Sequence, residues 1–470
     1  MTRAYDVSRE RVRHPLGDAQ VAMVTLAAVV GVWSRSPGWV AVVALAAVAV
    51  WRTPAMLLVC LVVGLGGGWR SQVEWHAAFP RQTGDYTGWV TVVGDPAPFG
   101  NGLRVTIEVG GERFDAWVYG SPRRRLVDRQ AGERVYVRGE RRRTVSNQRR
   151  AQIRHVVGRF DVDVVGDWHE GSPLYRTSTR VRTALRRAAE STMGADDAAL
   201  FTGLVIGDDA RESPAMVTAF RSSGLSHLTA VSGENVIFVL AAASPLLRRL
   251  RPWSRWGATL ALIGWFMALT RFEPSVLRAG VMAMLGSSSF VLGRQQSVVR
   301  LLAWTVTILV LIDPMLVWSV GFWLSTGATA GVCVVAPPLA QRLPGPSWLR
   351  MPMSVTLGAQ VGVALPSWLV FHRLPLVSLP ANLLAVPVAG FVMLFGIPAG
   401  LLAALATPIA SVVMAPCAAG SRWVSTVAYL AADAEPSPGW AVVGWIVVVC
   451  CVGALLIRHR WRRPAGDVPI

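Results

Sequence analysis

The residue types able to do chemistry gather in one stretch, Gly203 to Leu250, which reads GLVIGDDARESPAMVTAFRSSGLSHLTAVSGENVIFVLAAASPLLRRL. Asp208, Gly224, His227, Ser232, Gly233, Glu234 and Asn235 are embedded there among apolar residues, and Arg278 and Asn382 interrupt apolar runs further on. Helix-breaking glycine and unpaired polar groups at membrane depth are tolerated only where protein or a water-filled cavity surrounds them. Ionisable residues at that depth mark a pathway or a site. Together these positions are the candidate lining of a pore or cavity.

His227 and Ser232 offer the base and hydroxyl that a hydrolase pairs. They stand five positions apart, on poorly aligned faces of a helix, and no G-x-S-x-G elbow is present. The expectation is no catalysis, with His227 a structural hydrogen-bonder near a membrane surface. Asp208, Asp209 and Glu234 would repel a polyanion and are expected to pair with Arg211, Arg221 or Arg278. Arg278 either takes such a partner or meets a phosphate directly; the sequence leaves both open. Ser232 and Asn235 can satisfy backbone freed by the glycines, and close helix packing is the plainer role for Gly224 and Gly233.

Other chemistries lack their residues. All 46 Lys+Arg residues are arginine, so a Walker A loop has no lysine for its phosphates and Schiff-base chemistry is excluded. The seven histidines show no HxH or HExxH spacing, and the five cysteines (Cys60, Cys333, Cys417, Cys450 and Cys451) lie in apolar segments without CxxC. They read as small buried hydrophobes, not as a metal site or disulfide framework. No cofactor, metal or enzymatic activity is expected, and any motor must be another protein or a gradient.

The elements that position these residues follow from hydropathy. The chain has 470 residues, 53% of them hydrophobic and 16% charged, with a net charge of +18 and a mean hydropathy of +0.43. That is the composition of a polytopic membrane protein. Apolar runs at about 20–33, 38–51 and 54–69 predict three tightly connected N-terminal helices behind a basic start. Residues 85–167 switch to alternation: Val90/Val92, Leu103 to Val109, Phe114 to Val118, Val135/Val137 and Phe160 to Val164 predict five strands, with glycine-rich turns between them. Five strands in so short a span suit a small Greek-key barrel of the OB type.

Arginine crowds this module. Arg123, Arg124, Arg125, Arg141, Arg142, Arg143, Arg149 and Arg150 would track a nucleic-acid backbone, with Trp89, Trp117, Tyr119 or Tyr136 as stacking platforms. The alternative for the same residues is a solvated face touching anionic lipid. Residues 172–200 read as an amphipathic helix lying on the membrane surface, its arginines Arg176, Arg180, Arg182, Arg186 and Arg187 to one side and Leu185, Ala188 and Ala189 to the other. Hydrophobic segments follow at about 228–247, 256–271, 275–293, 298–312, 316–338, 355–371, 379–404, 406–430 and 438–457. Arg422 suits a span badly, so 417–430 is alternatively an interfacial helix. With Gly224 outside, the loops rich in arginine (248–255, 294–300, 342–350, 458–463) all become cytoplasmic, while Arg271, Glu273, Asp313, Arg373, Asp433 and Glu435 fall outside. That asymmetry satisfies the positive-inside rule.

These landmarks resemble the ComEC family of competence proteins, which carry DNA across the cytoplasmic membrane in natural transformation. The matching pieces are Gly203-Leu-Val-Ile-Gly-Asp, Phe220 through Gly224-Leu-Ser-His-Leu-Thr-Ala-Val-Ser-Gly-Glu-Asn-Val236, Pro274-Ser-Val-Leu-Arg-Ala279, Asp313-Pro314 with Ser319-Val-Gly-Phe-Trp-Leu-Ser325, and Leu379-Pro-Ala-Asn-Leu-Leu-Ala-Val-Pro387. Longer members end in a metallo-β-lactamase-like domain. This chain is expected to lack it, leaving strand degradation to another protein, and Glu234 stands where the family usually has a neutral residue.

The expected architecture is therefore a polytopic α-helical membrane protein with an inserted small all-β, OB-fold-like extracytoplasmic domain. Its parts are N-terminal helices over 1–70, the barrel over 71–171, an amphipathic or re-entrant linker over 172–222, the channel domain over 223–457 and a basic cytoplasmic tail over 458–470, with both termini cytoplasmic. The resemblance implies an inner-membrane channel for single-stranded DNA. It works with a DNA receptor outside and a motor or strand-binding protein inside, in the lipid bilayer and as a candidate homodimer. The rival is a transporter or flippase for a small anionic solute or lipid-linked precursor.

Overall fold

Proline and glycine set where the elements begin and end. In the computed structural model, which describes residues 17–450 apart from 35–36, 52–53, 144–147, 230–231, 373–374, 438, 442 and 449, proline occupies the first turn of several helices. There its missing N–H costs nothing. The chain opens with α1 (Asp18–Ser34), α2 (Pro37–Trp51) and α3 (Pro54–Ala77). The β-domain follows, with β1 (Gly84–Val92), β2 (Ala97–Phe99), β3 (Gly102–Val109), β4 (Glu112–Val118), α4 (Ser121–Leu126), β5 (Arg134–Arg143), α5 (Gln148–Ile153) and β6 (Val156–His169). Next come α6 (Pro173–Thr192), α7 (Ala195–Ile206), α8 (Pro214–Ser222) and α9 (Ser226–Thr229). The remainder is α10 (Gly233–Leu247), α11 (Pro252–Leu269), α12 (Pro274–Val291), α13 (Val298–Ile312), α14 (Val320–Val334), α15 (Ala336–Arg342), α16 (Ser347–Phe371), α17 (Ser378–Leu405) and α18 (Ala410–Ala434).

Among the described residues α3, α16 and α17 are long and apolar enough to cross a bilayer, and α14 with α15, bent by 41°, would make a fourth. The other apolar helices are shorter. The basic N-terminal residues, Arg373, Cys451 and the tail 458–470 lie outside the described residues.

All five expected strand runs are strands. Their alternation buries Leu103, Val105, Ile107, Phe114, Ala116, Val135, Val137 and Phe160 in a core of the β-domain's own. The sheet order is β1-β5-β6-β4-β3-β2, and β1 also pairs with β3, so the sheet closes on itself. The β4–β6 pairing is parallel and the other ladders are antiparallel. The short β2, paired with β3, is an extra strand that three residues of Ala-Pro-Phe could not announce by alternation.

The largest helical core joins α6, α7, α8, α10, α11, α12, α17 and α18 around Leu185, Phe201, Phe220, Phe266, Val276 and Met414. Here α6 departs from the expected surface helix. Arg182 is 3% exposed and Ser178 and Leu185 are fully buried, because positions 178, 182, 185 and 189 share one helical face. That face turns into the bundle, so Arg182 belongs with Leu185 and not opposite it. Residues 417–430 lie within the continuous α18, whose Met414, Cys417, Ser421, Val424 and Ala428 face the core, while exposed Arg422 pairs with Asp197 of α7 at 2.9 Å. The expectation of buried cysteines holds for Cys60 and Cys417; Cys333 is half-buried and Cys450 exposed.

Helix α13 relates the β-domain to the bundle. Arg300 in its first turn pairs with Asp18 at the start of α1 (2.7 Å), and Asp313, just past its end, meets His155 of the β-domain at 3.0 Å. The β-domain therefore lies at the end of the bundle remote from Asp18. The guanidinium of Arg149 over the Trp318 ring, 4.7 Å away, adds to this contact.

Candidate polar passage

The α9–α10 turn builds the first part of the site. Ser232 caps α10, its hydroxyl accepting the Glu234 N–H at 3.2 Å and donating to Asn235 Oδ1 at 3.3 Å. Asn235, 2% exposed, donates from Nδ2 to the Leu204 carbonyl at 2.7 Å, one of the orphan acceptors at the C-terminal end of α7. Gly233 lies against α12, since a Cβ there would stand 2.7 Å from an Arg278 guanidinium nitrogen and 2.8 Å from Ala279. Arg278 is buried and donates from Nε to Ser325 of α14 at 2.9 Å. No carboxylate pairs with it among the described residues, so the expected acidic partner is replaced by a hydroxyl.

The second part centres on Ser378. Gly224 ends α8 in the left-handed region (φ 74°), and a Cβ there would come within 2.6 Å of Ser378 Cβ. Both the backbone angle and the space call for glycine. Ser378 accepts from Gln360 Nε2 at 3.0 Å, and the buried Asn382 donates to the Ser378 carbonyl at 2.6 Å. His227 and Glu234 are exposed. No hydrogen bond joins His227 to Ser232 among the described residues, and the serine hydroxyl is taken up in capping.

Asp208 is placed elsewhere, in the loop after α7. Its 4%-exposed carboxylate is held by Arg186 at 2.5 Å and lies 3.7 Å from Arg182. The expected partner Arg211 instead pairs with Glu190. Arg182 also reaches Asp95 of the β1–β2 connection at 3.1 Å and donates to the Ile206 and Leu269 carbonyls. Arg271, after α11, makes a two-pronged contact with the same Asp95. Burial works against the Asp95 charge, but Arg182 and Arg271 outweigh it and hold the carboxyl below its usual range. Beside this hub, burial and then the charge of Asp209 push Glu212 up to about 7. The same two causes, in the same order, raise Glu273.

Of the β-domain arginines, Arg142 is held by Glu140 and Asp161. Arg123 and Arg125 donate to the Asn101 and Val165 carbonyls, Arg141 to Gln82, and Arg149 covers Trp318. Arg124, Arg143 and Arg150 are exposed.

The sequence pattern did not single out Asp95 or His155, and it marked Arg182 only as part of a surface helix and Asp313 and Ser325 only as landmarks of the resemblance, not as site residues. The only available signal for Arg182 was its spacing from Leu185 and Ala189 on one helical face. The Asp95–Arg182 pair spans 87 positions and leaves no local trace.

The fold and site define a mostly helical protein with, among the described residues, three helices long and apolar enough to span a bilayer, or four with the bent pair α14–α15, a mixed β-sheet domain, and buried polar groups between helices. The chain belongs to the competence protein family, whose model matches residues 204–463. It is similar to the "ComE operon protein 3" of Bacillus subtilis (strain 168), 27% identical over 53% of this chain and 32% of that protein. It is also similar to the "Uncharacterized protein YcaI" of Escherichia coli (strain K12), 28% identical over 45% of this chain and 30% of that protein. These alignments thus span about a third of the length of the curated relatives. No solved structure matches the chain.

Proposed function

We propose that this chain is a multi-pass protein of the cytoplasmic membrane that passes single-stranded DNA into the cell during competence. The observation that carries the reading is that the segment matching the competence family, 204–463, contains every residue of the candidate passage from Gly224 to Asn382. A role in DNA uptake follows from that membership and from the similarity to a ComE operon protein.

The finer parts of the proposal rest on the geometry. The closed ring of five strands with one parallel closure supports an OB-like barrel, which gathers the strand through phosphate contacts. Arg271, Glu273 and Asp313 lie at the barrel end of the bundle, while Arg300 marks the opposite end with Asp18. This supports an external barrel and cytoplasmic termini. Arg278 and Asn382 would line the path, a receptor outside and a motor or strand-binding protein inside would act with the chain, and two copies would widen the passage. The chain itself catalyses nothing in this proposal.

The test is uptake of labelled duplex DNA by cells deleted for the gene and complemented with wild type or Arg278→Ala. Deletion should leave surface-bound DNA normal and abolish protected internal DNA, with only wild type restoring it. Unchanged internal DNA in the deletion, in cells shown to take up DNA, would overturn the proposal and favour a flippase.

A further inference from the structure

Two faces of the barrel carry arginines, and they differ in what the arginines meet. On the β3–β4–β6 face Arg104 and Arg154 both hold Asp115 (2.6 and 2.8 Å), and Arg159 holds Asp161 (2.6 Å). Each of these arginines already holds a carboxylate of the protein, though Asp115 is shared by two of them. Trp117 on that face is flanked by the guanidinium groups of Arg104 and Arg159, at 5.9 and 5.1 Å, with Phe99 packed edge-on to it at 4.7 Å.

The β1–β5 face is different. Alternation along β5 sends Val135 and Val137 into the core and turns Arg134, Tyr136 and Arg138 outward. In the β1–β5 register Trp89 lies opposite Tyr136, and Thr87 and Thr91 lie opposite Arg138 and Arg134. The Trp89 ring stacks on His169 at 4.5 Å and 22°, and Tyr136 stands edge-on to Trp89 at 5.5 Å. Tyr136 is 39% exposed. Arg134 and Arg138 are exposed and form no ion pair or side-chain hydrogen bond among the described residues. They flank the aromatic group at roughly 13 Å from each other along the strand.

We infer that this β1–β5 face docks single-stranded nucleic acid, stacking a base on Tyr136 beside the Trp89–His169 pair and holding phosphates on Arg134 and Arg138. The inference rests on the DNA-conduit reading and deepens it by assigning the contact to a face whose arginines are unspent. Stacking tolerates every base, as a conduit indifferent to sequence requires. A lipid headgroup would also attract the two arginines. A membrane-inserting face, however, presents several aliphatic or aromatic side chains. Here the exposed large hydrophobics beside the patch are Val164 and Trp168, and the Arg129 guanidinium stands over the Trp168 ring at 4.0 Å, which keeps a charge where a membrane-inserting ring would meet hydrocarbon.

The test uses the full chain in nanodiscs and a fluorescent thymidine oligomer, with binding read by anisotropy at low and moderate salt. Tyr136→Ala should weaken binding about tenfold. Arg134→Ala with Arg138→Ala should weaken it similarly and reduce the salt slope by about two. Trp117→Ala should bind as wild type, and the melting temperatures should be unchanged. Loss on Trp117→Ala with full binding by the Tyr136 and arginine variants overturns the inference while the DNA reading stands. Variants that keep DNA binding but lose affinity for phosphatidylglycerol vesicles assign the face to lipid and overturn it too. A wild type that binds no oligomer removes both the inference and the reading beneath it.

Discussion

Arg182 and Asp95 meet at 3.1 Å, so a guanidinium 3% exposed within the helical bundle holds a carboxylate of the barrel's β1–β2 connection. Arg182 also lies 3.7 Å from Asp208, and Arg271 shares Asp95 at 2.9 Å. Opposite charges therefore alternate across the seam between barrel and bundle. Removing one partner of a buried pair leaves an uncompensated charge, which costs more than the intact pair contributes.

Asp95→Ala is accordingly expected to destabilise the chain by about 3–5 kcal/mol, read as a lower unfolding midpoint in detergent. A double-mutant cycle between Asp95 and Arg271 should give a coupling of about 0.5–3 kcal/mol. Additive effects of the two substitutions would show that the contact contributes nothing.

Stability should fall as pH rises from about 5 to 8. Burial, followed by Asp209, raises Glu212 to about 7. The folded state therefore keeps a proton that the unfolded state releases from about pH 4.5 upward, and stability is lost as pH climbs through 7. His155 contributes with the same sign. Its hydrogen bond to Asp313 raises its pKa, so its stabilisation is present below the unfolded histidine value and lost above the folded one. Asp95 acts oppositely, since its lowered pKa stabilises above the unfolded carboxylate range and the benefit is lost at strongly acidic pH. Glu212→Gln should flatten the decline between pH 5 and 8 in thermal melts; an unchanged profile would remove Glu212 as its source.

Gly224→Ala should be costly for two separable reasons. The left-handed φ of 74° penalises any Cβ by about 1–2 kcal/mol, and that Cβ would also come within 2.6 Å of Ser378. Gly224→Ala combined with Ser378→Gly relieves the second and not the first, so the double variant should recover only part of the lost thermal stability.

Arg278→Ala should reduce protected internal DNA by at least tenfold (about 1.4 kcal/mol) while surface-bound DNA is unchanged. Ser325→Ala, which removes the acceptor 2.9 Å from Arg278 Nε, should give a smaller loss of the same kind. Equal uptake by Arg278→Ala and wild type at matched protein levels would exclude this arginine from the path.

The sequence by itself determined the elements and the family resemblance. Period-two alternation put Leu103, Val105, Ile107, Phe114 and Phe160 inside a β-domain. Long apolar runs became α16 and α17, and proline and glycine marked the ends of α8 and α12. Those signals are local, because side-chain periodicity and backbone restriction act over a few residues. Only the tertiary structure decided which charges meet. It turned Arg182 inward, gave Asp208 to Arg186, left Arg278 with a hydroxyl, and separated the barrel's carboxylate-paired arginines from the free Arg134 and Arg138. An ion pair depends on distance in space between side chains that lie far apart along the chain. A sequence of arginines and aspartates carries no record of that distance until the helices and the barrel have packed.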